Sequence, residues 1–217
     1  METKIHLGIL SPIQKKLLLR LNFPSEDYYL AGGTSLSLYF AHRTSLDFDF
    51  YTLKKFQREK IYNLLKTMLP EKDILVTLLQ DNTFTGVIWG VNISFFYYPY
   101  SLLRPLTKTA NIYLSSREDI AAMKIVAIIQ RPAKRDYIDL YYLLKQFSLE
   151  QIFGFCLKKF PNFNPYLALR AISYFEDIEK ESLSERGIKV LDKHFSWKEV
   201  KQEIFEKVKE IQLKKLK

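Results

Sequence analysis

The motif Asp47-Phe48-Asp49 offers the first chemistry in this sequence. In Asp47-Phe48-Asp49-Phe50-Tyr51 polar and apolar residues alternate, the pattern of a half-buried strand, so both carboxylates face one side. Like charges on one strand face repel unless a cation lies between them. Carboxylates combined with water and phosphate oxygens are what Mg²⁺ selects, and metals so held clamp the attacking and leaving oxygens of a phosphoryl transfer. Read alone, the pair is equally two solvated carboxylates near Lys or Arg. Upstream lies Gly32-Gly33-Thr34. A glycine pair permits positive φ and close backbone approach, and a helix beginning there offers free N–H groups to a phosphate. Alone it also reads as a simple strand-to-helix turn.

Further on, Lys124 is the only charged side chain from Ile120 to Gln130. A helix apolar nearly all round is a buried one, and a buried ammonium needs an anion. The alternatives are a snorkelling Lys or a structural pair with Asp136 or Asp139. Those two acids lie at i and i+3 in Lys134-Arg135-Asp136-Tyr137-Ile138-Asp139-Leu140, on one helical face. Arg135 adds a planar fork suited to phosphate or carboxylate, although an ordinary salt-bridged helix explains the same charges.

These residues need elements to position them. Ser11-Pro12 caps a helix running to Leu21, Tyr28–Ala31 reads as a strand, and Thr34 opens a helix to about Ala41. A helix holding Phe56, Ile61, Leu64, Leu65 and Met68 stops before Pro70. Asp73–Gln80, Thr83–Trp89 and Val91–Tyr98 read as strands, with a hairpin turn at Trp89-Gly90, and Asn111–Leu114 as a short one. Helices follow over Arg117–Gln130, Ala133–Phe147, Leu149–Lys159 and Pro165–Glu179, with Ser116, Ser148 and Asn164 as caps. Trp197, Val200, Ile204, Val208 and Ile211 recur at helical spacing, so the Lys-rich end through Lys217 reads as an amphipathic helix. The expected organisation is an α+β core over residues 1–115, with a helical region over 116–217 packed on it.

Composition removes several classes. The 217 residues are 47% apolar and 15% aromatic, ample for a packed core. One cysteine excludes an intrachain disulfide. No apolar run approaches the roughly 20 residues of a membrane span, and the start from Met1 does not resemble a signal peptide, so a cytoplasmic location is expected. His6, His42, His194 and Cys156 give no zinc spacing. Cys156 sits in an apolar helix and is expected to be buried and inert. There is neither a P-loop nor a nucleophile elbow. With 33 basic and 24 acidic residues the formal charge is +9, spread over both halves, a bias toward anionic partners that names none.

Gly32-Gly33 followed at an interval by Asp47-Phe48-Asp49 resembles the nucleotidyltransferase signature of the DNA polymerase β-like superfamily. The fuller strings Leu30-Ala31-Gly32-Gly33-Thr34-Ser35-Leu36 and His42-Arg43-Thr44-Ser45-Leu46-Asp47-Phe48-Asp49-Phe50 resemble the AbiEii-type nucleotidyltransferases, toxins of AbiE-type toxin–antitoxin and phage-defence systems. Glu118-Asp119-Ile120-Ala121-Ala122-Met123-Lys124 and the 134–140 stretch resemble that family's later motifs, with a weaker likeness at Tyr174-Phe175-Glu176-Asp177. The resemblance implies an α+β nucleotidyltransferase fold with a mixed sheet and a C-terminal helical region. It implies Mg²⁺ on Asp47 and Asp49 and a catalytic set of these with Lys124, Asp136 and Asp139. Gly32, Gly33, Thr34, Arg43, Ser45, Lys124 and Arg135 would bind the nucleotide, and His42 could touch a phosphate. The implied reaction moves an NMP from an NTP to RNA, such as a tRNA 3′ end, or to protein, and the implied partner is an antitoxin. One departure stands out: the third carboxylate of the superfamily is expected at Val91-Asn92-Ile93, where Asn92 carries no charge. Asp136 or Asp139 could substitute for it. Otherwise the fold serves as a non-catalytic nucleotide- or RNA-binding module. A purely structural role for the aromatic run Phe95-Phe96-Tyr97-Tyr98 is the remaining alternative.

Overall fold

The first helix follows from its cap. In a computed structural model describing residues 4–23 and 26–214, Ser11 and Gln14 form a reciprocal capping box with Pro12 in the first turn, opening α1 (Pro12–Arg20). The chain divides into two compact units, Met1–Ser116 and Arg117–Lys217. In the first, β1 (Tyr29–Leu30) leads into α2 (Gly32–Phe40), then β2 (Phe48–Thr52) and α3 (Arg58–Lys66). Five strands complete the sheet: β3 (Ile74–Gln80), β4 (Thr83–Ile88), β5 (Val91–Tyr97), β6 (Thr107–Thr109) and β7 (Ile112–Leu114). Their order is β3-β4-β5-β2-β1-β7-β6. β2 runs parallel to β5, and β1 parallel to β7, while the remaining neighbours are antiparallel. The sheet is therefore mixed, as the fold class requires.

The period-2 pattern decides which face is core. Phe48 and Phe50 of β2, Phe84 of β4, and Ile93 and Phe95 of β5 are fully buried, and Phe50 stacks on Phe95 at 5.0 Å. Between them Asp49, Tyr51, Thr85, Ser94 and Phe96 are only half-buried, on the opposite face. At the β4–β5 hairpin Trp89 and Gly90 both have positive φ (52° and 81°), the I′-type geometry whose twist suits adjoining antiparallel strands.

In the second unit α4 (Arg117–Gln130) is the central helix. It packs on α5 (Lys134–Leu144), α6 (Leu149–Lys159) and α7 (Pro165–Ile172) through a surface that includes Ala121, Ala122, Ile125 and Ile128. Ser148 caps α6 with a capping box, and Asn164 caps α7. The segment read as one helix over Pro165–Glu179 breaks. Ser173 turns its hydroxyl back onto the carbonyls of Leu169 and Arg170, and a separate turn α8 (Glu176–Glu179) follows. α9 (Trp197–Lys214) buries Val200, Ile204, Val208 and Ile211. The end of the predicted Lys-rich helix, 215–217, and the start of the chain, 1–3, lie outside the described residues. β6, of sequence Thr-Lys-Thr, was not anticipated because it has no apolar alternation. No helix among the described residues is long and apolar enough to cross a membrane.

Candidate active site

The two aspartates sit where β2 begins. Asp47 immediately precedes the strand and Asp49 is its second residue. The parallel register pairs Phe48 with Ile93 and Asp49 with Ser94, which sets Asn92 beside Asp47. The Asn92 amide donates from Nδ2 to Oδ1 of Asp47 over 2.9 Å. The position expected for a third carboxylate is thus next to the acidic pair, occupied by a neutral amide.

The glycine turn abuts this edge. Ala31 N–H donates to the Asp49 carbonyl at 3.1 Å, tying the end of β1 to β2. Gly32 has φ +67°, a conformation natural to glycine, and a Cβ there would lie 3.8 Å from Oδ2 of Asp49. Gly33 has a different constraint. A Cβ on it would stand 2.5 Å from Nη2 of Arg43, so the backbone and the guanidinium share space that only glycine leaves. Helix α2 starts at Gly32, two residues before the expected Thr34, and its N-cap, Ala31, supplies no side-chain hydrogen bond. Its leading N–H groups, which the helix itself leaves unpaired, lie beside the Asp49 carboxylate.

Thr34, Ser45 and Arg43 are braces of this edge. The Thr34 hydroxyl lies 2.7 Å from Oγ of Ser45 and also bonds the Asp47 carbonyl. Arg43 is only 1% exposed, and its Nη1 donates to the Thr44 carbonyl at 2.9 Å. His42 is buried, edge-on to Phe40. Gln14, which sequence reasoning missed, donates from Nε2 to the carbonyls of Ser45 (2.8 Å) and Leu46 (3.1 Å). It fixes the loop that delivers Asp47. Its only sequence signal is its place as third residue of a capping box, which points to helix capping and not to a site.

The later motifs form a second constellation, within the helical unit. Lys124 Nζ lies 2.6 Å from Oδ1 of Asp136 and 2.7 Å from Oδ2 of Asp139, all three side chains being at least nine-tenths buried. Lys124 therefore pairs with both acids that the sequence offered as alternatives. The cluster carries one positive and two negative charges, and Oδ2 of Asp136 is buried with no hydrogen-bond partner among the described residues. Arg135, half-buried next to it in sequence, makes no hydrogen bond or ion pair among the described residues. A further buried pair, Lys159 Nζ to Asp119 Oδ1 at 2.7 Å, joins α6 to α4. Lys159 was missed because it ends an amphipathic helix, where a lysine usually reaches solvent. Burial raises the Cys156 thiol to about 12.

Among the described residues no group of three or more His, Cys, Asp or Glu side chains is arranged to hold a metal. Asp47 and Asp49 still suit a divalent ion. They are hard oxygen donors with two negative charges, and Mg²⁺ commonly takes one or two carboxylates and completes its shell with water and substrate phosphates.

A mixed sheet with an acidic pair at the head of β2, set against a glycine turn that starts a helix, defines a nucleotidyltransferase. The chain belongs to the nucleotidyl transferase AbiEii toxin family of type IV toxin–antitoxin systems, whose model matches residues 16–72 and 90–214. The unmatched stretch between these blocks holds β3 and β4. An uncharacterized protein of Aquifex aeolicus is 34% identical over 197 residues, covering 85% of this chain and 88% of its own. The fold is that of JHP933 from Helicobacter pylori (TM-score 0.60, 19% identity, 97% of this chain and 94% of that one). It is also that of MenT4, a nucleotidyltransferase toxin of Mycobacterium tuberculosis (TM-score 0.58, 13% identity, 91% and 82%).

Proposed function

We propose that this enzyme is the toxin of a toxin–antitoxin pair and transfers an NMP from an NTP to a hydroxyl of an RNA acceptor, a tRNA end among the candidates, with Mg²⁺ held by Asp47 and Asp49. The observation that carries the reading is the joint placement of Asp49 against Gly32 and of Asn92 against Asp47. It puts the acidic pair next to the N-terminus of α2, where a triphosphate is attracted.

In this reading the acceptor oxygen attacks the α-phosphorus, the bond to the β-phosphate breaks, pyrophosphate leaves and the hydroxyl proton is released. The divalent ion, when bound, neutralises phosphate charge and orients oxygens. The chain supplies positioning. Gly32 and Gly33 admit the phosphates to the α2 N–H groups, while Thr34, Ser45 and Arg43 hold the turn and the Asp47 loop in register. Asn92 orients Asp47 and has an amide oxygen available as a neutral ligand. Catalysis is then chiefly orientation and electrostatic stabilisation. The +9 charge favours RNA over protein as acceptor. The proposed location is the cytoplasm, where NTPs, RNA and an antitoxin are available.

The test is incubation with labelled NTPs and Mg²⁺ in the presence of total RNA or total protein. Label should enter RNA, and Asp47→Ala with Asp49→Ala should abolish the transfer. No transfer by intact protein, with NTP binding indifferent to both substitutions, overturns the reading. Expression without an antitoxin should arrest growth, and Asp47→Ala should relieve the arrest.

A further inference from the structure

The aromatic run after β4 has no part in the chemistry above, and the sheet register gives it one. Asp49 pairs with Ser94 and Tyr51 pairs with Phe96, so these four side chains share the half-buried face. Tyr98 continues that alternation, since its N–H bonds the Thr52 carbonyl at 2.8 Å and extends the β2–β5 ladder. The rings are linked in sequence along the face: Phe96 to Tyr51 at 5.7 Å, Tyr51 to Tyr98 at 5.3 Å, Tyr98 to Tyr100 at 4.9 Å. This strip is not the core of the sheet, which lies on the other face around Phe48, Phe50 and Phe95. All four residues are half-buried.

The strip starts one strand repeat from Asp49, about 6.6 Å for two residues. A nucleotide whose hydroxyl lay at the acidic pair would have its base about that far along the face. The charge pattern suits a polyanion. From Asn82 to Ser116 there is no Asp or Glu, while Arg104 and Lys108 are exposed. The Thr85 hydroxyl, 2.7 Å from that of Thr77, lies on the same face in register with Ser94, adding neutral hydrogen-bonding groups beside the rings.

We infer that Tyr51, Phe96, Tyr98 and Tyr100 form a stacking platform for the unpaired 3′-terminal bases of a single-stranded RNA acceptor, continuous with the Asp47–Asp49 centre. The inference rests on the reading of that centre as the place of nucleotidyl transfer. Aromatic platforms bind bases through their π-faces with little sequence preference, so the strip selects an unstacked end and not a particular base.

The probe is a 5′-fluorescein RNA oligonucleotide with a free 3′ hydroxyl, titrated by anisotropy without NTP. Against wild type, Tyr98→Ala with Tyr100→Ala should weaken binding about tenfold or more, while Tyr100→Phe stays within about twofold. Circular dichroism checks that each variant is folded. If the double variant does not fold, Tyr100→Trp supplies the reading, since its fluorescence should be quenched by the RNA. Equal affinity of a folded double variant, or no quenching, overturns the platform. Label transfer to RNA that ignores the tyrosines keeps the transferase reading and removes the platform. Tyrosine-dependent RNA binding with transfer only to protein keeps the platform as an RNA site and removes the RNA-acceptor reading.

Discussion

The Asn92 amide nitrogen lies 2.9 Å from Oδ1 of Asp47, so a hydrogen bond stands where a third carboxylate would confront the acidic pair. The bond relieves the repulsion that three clustered carboxylates would create, and it leaves the proposed metal site with two negative charges instead of three.

Asn92→Asp should therefore shift two properties in opposite directions. Without divalent ions, a third carboxylate beside Asp47 adds like-charge repulsion and removes a donor, so Tm should fall. With Mg²⁺ the extra charge should tighten metal binding, so that the Mg²⁺ concentration for half-maximal transfer drops. Thermal melts with EDTA and with Mg²⁺, beside a Mg²⁺ titration of activity, measure both. A Mg²⁺-induced rise in Tm no larger than that of wild type would show that position 92 does not sense the metal.

Glycine at position 33 is set by Arg43. A Cβ there would stand 2.5 Å from Nη2 of a guanidinium that is nearly fully buried. Gly33→Ala must displace Arg43 or open the turn, and overpacking of this kind costs about 1–3 kcal/mol. Urea unfolding should show that loss, and NTP affinity should fall with it because the turn moves. Adding Arg43→Lys should recover part of the stability by vacating the contested space.

The legibility of the chain follows the same local logic. The Phe48–Thr52 alternation, the Trp89-Gly90 turn and the caps at Ser11, Ser148 and Asn164 were readable because each depends on residues within four positions. The acidic pair was readable because two residues along a strand means one face. What joins distant segments was not. Gln14 reaches Ser45, Lys159 reaches Asp119, and Asn92 faces Asp47 only through the β2–β5 register. The break after Ile172 was hidden because Ser173 is a tolerable helix residue until its hydroxyl bonds the preceding carbonyls.

Two buried lysines tie the helices of the second unit together. Lys159 pairs with Asp119, and Lys124 with Asp136 and Asp139. Removing one partner of a buried pair strands a charge, at about 3–5 kcal/mol. Lys159→Met and Lys124→Met should both lower unfolding free energy by that order, and Asp119→Asn should restore part of the loss in the first. Urea unfolding of the two folded variants measures both losses, and equal midpoints to wild type would show that neither pair supports its helices.

Cys156 reports on α6 without any substitution of the site. Burial raises its thiol to about 12, well above the unfolded value near 8.5. At pH 8 the native thiol is protonated and enclosed, so iodoacetamide should leave folded protein unmodified and label it fully in denaturant, read by mass spectrometry. The linkage has a definite sign. Above the unfolded value the unfolded chain loses this proton while the native chain keeps it, so the unfolded state binds fewer protons and stability declines with rising pH. Between pH 9 and 11 Cys156→Ala should show a shallower loss of stability than wild type, despite starting lower from the cavity it leaves. Parallel slopes for the two proteins would mean that the thiol titrates normally in the native state and that α6 does not seal it.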